Sequence, residues 1–300
     1  MSVLAPSRRP TAVAPETRPR KPRGRGRRRR WLESVAERSL LIALAFIVLM
    51  PFALILLTSL MTNAQTLSPR LWPEDFQWHN FADVFTRIPL ARYAANTFLY
   101  AGLGTVGTLL SSVPAAYAMA KLRWRGRHVW LLLTVAVMML PAQVTLVPLY
   151  SMWASLGLVG TLAPLIVPFF FGHAFSIFLL RQFFLTIPQE YLEAARIDGC
   201  GELRTLLRVV LPLTRPALAA VAVFQFTFCW NDFMGPLLYV GNNDSNWTIP
   251  VGLAQFRSTY QVEWNLTMAA SLLAAVPVVV LFFFAQKTFV RGIALTGVKG

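Results

Sequence analysis

Glu193, Ala194, Ala195, Asp198 and Gly199, followed by Leu211 and Pro212, form the polar stretch with the most defined spacing in the chain. These types do not compose a catalytic centre, because no nucleophile stands beside a base. What they specify is a shape. Glu190 to Ile197 is rich in helix formers, and acids at its start suit the positive end of the helix dipole. Pro188 stands at the helix entrance, where its missing N–H costs nothing. Asp198-Gly199 is a turn dipeptide with glycine free to take a positive φ. Glu202 to Val210 predicts a second short helix with Leu203, Leu206, Leu207 and Val210 on one face, closed by Pro212 and Pro216. The expectation is helix, glycine turn, helix: two short arms and a projecting knuckle that a partner's groove can hold.

The other reactive groups are sparse. His79, His128 and His173 are the three histidines, and no His, Cys, Asp or Glu set has metal-ligand spacing. Cys200 and Cys229 are too differently placed to pair usefully, one in a polar loop and one in an apolar run. A phosphate-binding loop needs glycines ahead of Lys-Ser or Lys-Thr, and the only such pair, Lys287-Thr288, follows Gln286. No catalytic residue, cofactor or metal site is therefore expected on this chain. Asp232 is the one acid inside an apolar run. A carboxylate there must face a helix bundle or a wet cavity, either to bind a solute or to tie helices together with Asn231 and Trp230.

The elements that position these residues are membrane spans. The 300-residue chain is 56% hydrophobic, and a run of about 20 apolar residues crosses a bilayer. Ser39–Met61, Tyr93–Ala120 and Trp264–Gln286 carry no charge, Val129–Leu180 is charge-free over a length enough for two crossings, and Pro216–Tyr239 holds only Asp232. Six spans follow, at about 39–61, 95–119, 129–150, 161–181, 216–238 and 265–286, with the polar loop at 188–212 between the fourth and fifth. Gly102, Gly104 and Gly107, with Ala101 and Thr105, give the second span a face for close helix approach. Prolines 51, 114, 141, 148, 164, 168 and 277 interrupt nearly every span, as moving transporters and channels tolerate.

Orientation follows from the basic residues. With the N-terminus inside, twenty-four of the twenty-eight Lys and Arg fall on the inner side, so both termini and the 188–212 loop are expected in the cytoplasm. Residues 1–38 hold much of the net charge of +15 and are rich in Arg and Pro, which predicts a disordered tail serving as a topology anchor that also touches anionic lipid. Beside six spans, nucleic acid is not the expected partner. Ser39–Met61 is too long for a signal-peptide core of about 7–15 residues, which reads as a retained helix. Trp247, Phe256, Tyr260 and Trp264 lie in the outer segment after the fifth span, as interfacial aromatics or as contacts for an outside partner.

The spacing from Glu193-Ala194-Ala195 through Gly199 to Val209 and Leu211-Pro212 resembles the EAA loop of ABC-importer permeases. Trp230-Asn231-Asp232-Phe233 with Pro236-Leu237, and Thr248-Ile249-Pro250-Val251-Gly252-Leu253, look like the fifth span and outer loop of the carbohydrate-uptake permeases. Gly297-Val298-Lys299-Gly300 resembles the tail of the MalG-like subunit. The resemblance covers most of residues 40–300. It departs at Val209, where Ile is usual, at Cys200, where a small residue is usual, and in the Arg-rich tail.

The resemblance implies an all-α integral membrane protein with the six-helix type I (MetI-like) importer fold, in a bacterial inner membrane. It implies a non-enzymatic permease that works by alternating access beside a second homologous permease, a cytoplasmic ABC ATPase dimer and an extracytoplasmic solute-binding protein. Glu193 to Ala195, Asp198, Gly199, Leu211 and Pro212 would couple to the ATPase. Glu193 would anchor the loop, and Ala194 and Ala195 would keep the arm thin. Trp230, Asn231 and Asp232 would line the solute path or join helices, and Trp247, Phe256 and Tyr260 would meet the binding protein. The solute class is a sugar or polyol. An ion-coupled secondary transporter is the alternative, supported only by Asp232.

Overall fold

The computed structural model describes residues 25–256 and 262–296. The chain divides between Ala53 and Leu54 into two units. The first carries most of helix α1 (Arg25–Ser59), whose side chains from Val35 to Ala53 are all exposed. Residues 25–38, expected within an unstructured tail, are the opening turns of this helix. Arginine is a good helix former, and a helix nucleated in the apolar run extends through it at little cost.

In the second unit, short helices α2 (Asn63–Thr66) and α3 (Asn80–Arg87) lead into α4 (Leu90–Lys121). The expected span at 129–150 is two helices, α5 (Arg127–Met138) and α6 (Ala142–Ser155), bent by 97°. Pro141 lacks the N–H that would continue the ladder across the joint. The next crossing begins as α7 (Ala163–Ile166), tightens into a 3₁₀ turn at Val167–Phe171, breaks at Gly172 with φ of 107°, and resumes as α8 (Ala174–Leu185). After α9 (Gln189–Ile197) come α10 (Glu202–Thr205), a π-helical turn at Leu206–Val210, and α11 (Leu211–Leu213). An 82° bend at Thr214 opens α12 (Arg215–Asn231). Beyond it lie α13 (Met234–Val240), α14 (Ile249–Leu253) and α15 (Trp264–Thr296).

Among the described residues, four stretches are long and apolar enough to cross a membrane: Ser34–Ser59, Leu90–Lys121, Ala163–Leu185 and Trp264–Gln286. The count reaches six if each bent pair makes one crossing.

Two apolar cores organise the second unit. One gathers Tyr93, Tyr100, Trp230, Val240, Ile249, Phe256 and Ala269 from α4, α12, α13, α14, the turn after it and α15. The other gathers Val113, Tyr117, Leu180, Phe184, Leu192, Val210 and Val221 from α4, α8, the 188–214 segment and α12. Helices α4 and α12 run through both. Between the cores the small residues of α4 divide their roles. A Cβ on Gly104 would stand 3.2 Å from Phe169 and from the Cys229 sulfur, and one on Gly107 would meet the Phe170 ring at 2.6 Å, whereas Gly102 has open space beside it.

Candidate functional site

The loop at 188–214 folds as its residue types dictate. Helix α9 is capped at its end by N–H groups turning back: Asp198 donates to the Ala194 carbonyl at 3.0 Å, Gly199 to Arg196 at 3.0 Å and Cys200 to Ala195 at 2.9 Å. Gly199 holds φ of 77°, the left-handed value that ends a helix cheaply only with glycine. Leu192 and Ala195 are buried and seat the arm on the molecule, while Glu193, Ala194, Asp198 and Gly199 are exposed. Leu211 opens α11 half-buried, with Pro212 exposed beside it.

The second arm departs from expectation. Leu206 and Val210 are buried, but Leu203 and Leu207 are exposed, so the four do not share a buried face. The π turn, with its i→i+5 bonding, changes the angular step between residues and separates the pairs. Ile197, at the end of α9, is 87% exposed and Leu203 69%, and they stand in the open with Tyr191 and Leu207. Apolar side chains held outward on a fixed scaffold mark an interaction surface.

What fixes the scaffold is a set of polar contacts that sequence spacing did not reveal. Glu193, the expected anchor, makes no hydrogen bond or ion pair with a described residue. The clamp is Glu202 instead. One of its oxygens accepts from Arg196 Nε and Nη2 at 3.2 and 2.9 Å, closing the two arms on each other, and the other accepts from Tyr117 Oη at 2.7 Å, fastening the loop to α4. Tyr117 lies within the long apolar run of α4, so only the fold shows that its hydroxyl points at the loop. Nearby, buried Lys121 donates through Nζ to the Ile187 carbonyl at 2.6 Å, pinning the chain just before α9. Lys121, Arg123, Trp124, Glu193, Arg196 and Glu202 surround an open recess of 710 Å³.

The acid within the apolar segment is committed to the fold. Asp232 accepts from Tyr100 Oη at 2.9 Å and, through its other oxygen, from the Gly235 N–H at 3.1 Å, joining α4 to the first turn of α13. Trp230 is buried, donates to the Ala274 carbonyl at 3.0 Å and stacks on Phe226. Asn231 is exposed and turns its amide back to Thr227 at 2.8 Å.

The 241–256 segment is bound down. Asn96 on α4 donates to the Ser245 and Trp247 carbonyls, each at 2.9 Å, and Thr97 Oγ1 accepts from the Ile249 N–H at 2.9 Å. Gly252 sits against the Tyr93 ring with no room for a side chain. Trp247 is half-buried, 6.0 Å from Tyr93 between ring centroids. Phe256, expected as an outward contact, is 4% exposed and belongs to the core, because the turn after α14 directs its ring inward. Tyr260 and the closing Gly297–Gly300 lie outside the described residues.

Residues 112–295, more than half of the chain and including the whole 188–214 loop, match the family described as the binding-protein-dependent transport system inner membrane component. The chain belongs to this family. Its members are membrane transport components rather than enzymes. Among relatives, the probable ABC transporter permease protein YurM of Bacillus subtilis (strain 168) is 35% identical over 91% of each chain. The arabinooligosaccharides transport system permease protein AraQ of Halalkalibacterium halodurans is 34% identical, over 86% of this chain and 93% of the relative. A bacterial ABC transporter involved in the import of the acidic polysaccharide alginate superposes with a TM-score of 0.75 at 26% identity, covering 86% of this chain and 96% of that one. The all-helical, MetI-like permease fold and a multi-pass place in the membrane follow from the family match together with these helices.

Proposed function

We propose that this chain is the membrane-spanning permease subunit of an ATP-driven importer that takes up a sugar or related polyol. The carrying observation is the 188–214 loop: two arms clamped by Glu202 to each other and to α4, with Ile197, Leu203 and Leu207 turned outward. A rigid arm with an apolar tip transmits the motion of a partner; a free hairpin would absorb it. The partner is a cytoplasmic ABC ATPase dimer, and ATP is bound and hydrolysed there. A second, homologous permease completes the pathway, and an extracytoplasmic binding protein delivers the solute; the family description supports the binding protein. Closure of the ATPases carries the loops inward and rocks the spans between outward- and inward-facing states.

The six-span reading adds α5–α6 as one crossing and α12 as another to the four long stretches, and places both termini and the 188–214 loop in the cytoplasm. Supporting it, Lys121 and Arg123 at the end of α4 border the same recess as Arg196 of the loop, in keeping with positive-inside placement. The sugar class draws support from the relative named for arabinooligosaccharides and the importer of alginate. An ion-driven mechanism loses its footing, since Asp232 has both oxygens engaged within the fold.

The experiment is co-purification of the chain in nanodiscs, followed by ATPase assay with and without sugar-loaded binding protein. An associated ATPase whose rate rises with loaded binding protein is the expected result. Isolation with no associated ATPase would overturn the proposal.

A further inference from the structure

The recess best built to hold a solute lies away from Asp232. It occupies 360 Å³ between the start of α8 and the middle of α12, bounded by His173, Phe175, Ser176, Phe224, Gln225 and Phe228. That volume sits within the span of small-molecule pockets, about 300–1,000 Å³, which are mostly apolar with a few placed polar groups. Here the walls are the rings of Phe175, Phe224 and Phe228, of which Phe175 and Phe224 meet edge to face at 6.4 Å.

The polar groups are held in place and left with capacity. Gln225 is only 3% exposed; its Nε2 donates to the Cys229 sulfur at 3.2 Å, which fixes the amide, and its Oε1 has no hydrogen bond to a described residue. An amide oxygen at the wall of such a recess keeps its capacity to accept from whatever occupies it. His173 shares a hydrogen bond between Nδ1 and the buried Ser176 hydroxyl at 2.8 Å. In either tautomer Nε2 is left over, as donor or acceptor. The break at Gly172 puts this imidazole at the very start of α8 rather than along a continuous helix, and the His173 backbone N–H is held by Ser112 Oγ at 3.4 Å.

We propose that this recess is a sugar subsite within the permease, where one face of a pyranose or furanose ring lies on the phenylalanines and its hydroxyls bond Gln225 Oε1 and His173 Nε2. The chemistry fits a sugar better than a wholly apolar occupant. A ring with C–H groups on one face and hydroxyls at its edge satisfies the aromatic walls and the two polar atoms together. Lipid chains or a hydrophobic partner helix would leave the Gln225 oxygen unpaired. The assignment rests on the sugar-permease reading above.

The test uses the complete importer, with both permeases, ATPases and binding protein, in proteoliposomes supplied with radiolabelled arabinotriose, raffinose and maltotriose in turn. Gln225→Leu and His173→Ala should each lower uptake of the accepted sugars about ten-fold, the loss of one well-placed hydrogen bond of ~1.5 kcal/mol, while hydrolysis stimulated by loaded binding protein stays at the wild-type level. Phe224→Ala should change the order of preference among the three sugars. His173→Gln, which keeps a side-chain hydrogen-bonding group there, should recover much of the uptake. Variants with wild-type uptake and unchanged preference overturn the subsite alone. Loss of uptake together with stimulated hydrolysis also overturns it, since the residues then serve packing. A wild-type complex that takes up none of the sugars refutes the sugar reading and the subsite with it.

Discussion

The 188–214 and 241–256 loops have similar ingredients and opposite outcomes. Each links spans, each contains a short helix, proline and a glycine that resists substitution (Gly199 for its positive φ, Gly252 for the Tyr93 ring against it), and each carries large apolar side chains. The first turns Ile197, Leu203 and Leu207 outward; the second folds Ile249, Val251 and Phe256 into the core. The difference lies in where the polar anchors fall. In the first loop they are side chains at the base, Glu202, Tyr117 and Lys121, so the tip is free to face away. In the second they act directly on the loop backbone: Asn96 holds two carbonyls and Thr97 holds an N–H. A loop held by its backbone is drawn against the helix and buries its apolar groups. One held at its root presents them.

The contrast can be broken most severely at the knuckle. Gly199→Asp forces a β-carbon into a left-handed conformation, at about 1–2 kcal/mol, and adds charge where the tip projects. Uptake and binding-protein-stimulated ATP hydrolysis should both vanish while membrane insertion, followed by fractionation, is retained. Normal transport by this variant would remove the coupling role of the loop.

A core residue in the other loop should behave in the opposite way. Phe256→Ala leaves a cavity and should cost about 3–5 kcal/mol of stability, seen as a lower melting temperature of the purified complex. Affinity for the binding protein, measured by titration on the surviving folded fraction, should hold. A large loss of that affinity with unchanged melting would show Phe256 to be a contact after all.

Smaller effects sharpen the same distinction. Ile197→Asp, at an exposed site, should leave melting unchanged but weaken association with the ATPase by ~2 kcal/mol, the size of a typical interface hot spot. Equal co-purification with wild type would show that the exposed tip is not the contact. Thr97→Val removes the acceptor of the Ile249 N–H and should destabilise by about 1 kcal/mol without altering ATPase association. Tyr117→Phe should do the reverse: little change in melting, and ATP hydrolysis partly uncoupled from uptake, read as more ATP consumed per sugar moved.

Much of the first loop was legible in the sequence, because local chemistry decides it. The helix over Glu190–Ile197 and the positive φ at Gly199 follow from residue type and spacing, whereas the expected closure at Pro212 falls later, because proline sits in the first turn of α11 and the run bends only at Thr214. The clamp was not legible. Glu202 reaches Tyr117 across 85 residues of chain, and neither residue is unusual in its own neighbourhood. The exposure of Leu203 and Leu207 is hidden for a different reason: an α-helical period does not hold through a π turn. Phe256 is not legible because aromatic residues near a span end read alike whether they face lipid, partner or core. Asp232 stood out as the lone acid in an apolar run, yet its two partners, Tyr100 and the Gly235 N–H, show a strut.

Helix α4 has one further consequence. It is rooted at one end by Tyr93 and Tyr100 in the first core and at the other by Tyr117 in the second. Tyr93 and Tyr117 stand roughly 36 Å apart along its axis at the standard rise of 1.5 Å per residue. Between them Gly104 and Gly107 lie flush against Phe169 and Phe170, with no side chain of their own to interlock. One helix therefore reaches from the 188–214 loop to the 241–256 loop and is gripped at each end, with Pro114 interrupting its backbone ladder on the way. The contact that Glu202 makes at one end and those that Asn96 and Thr97 make at the other thus share a single element.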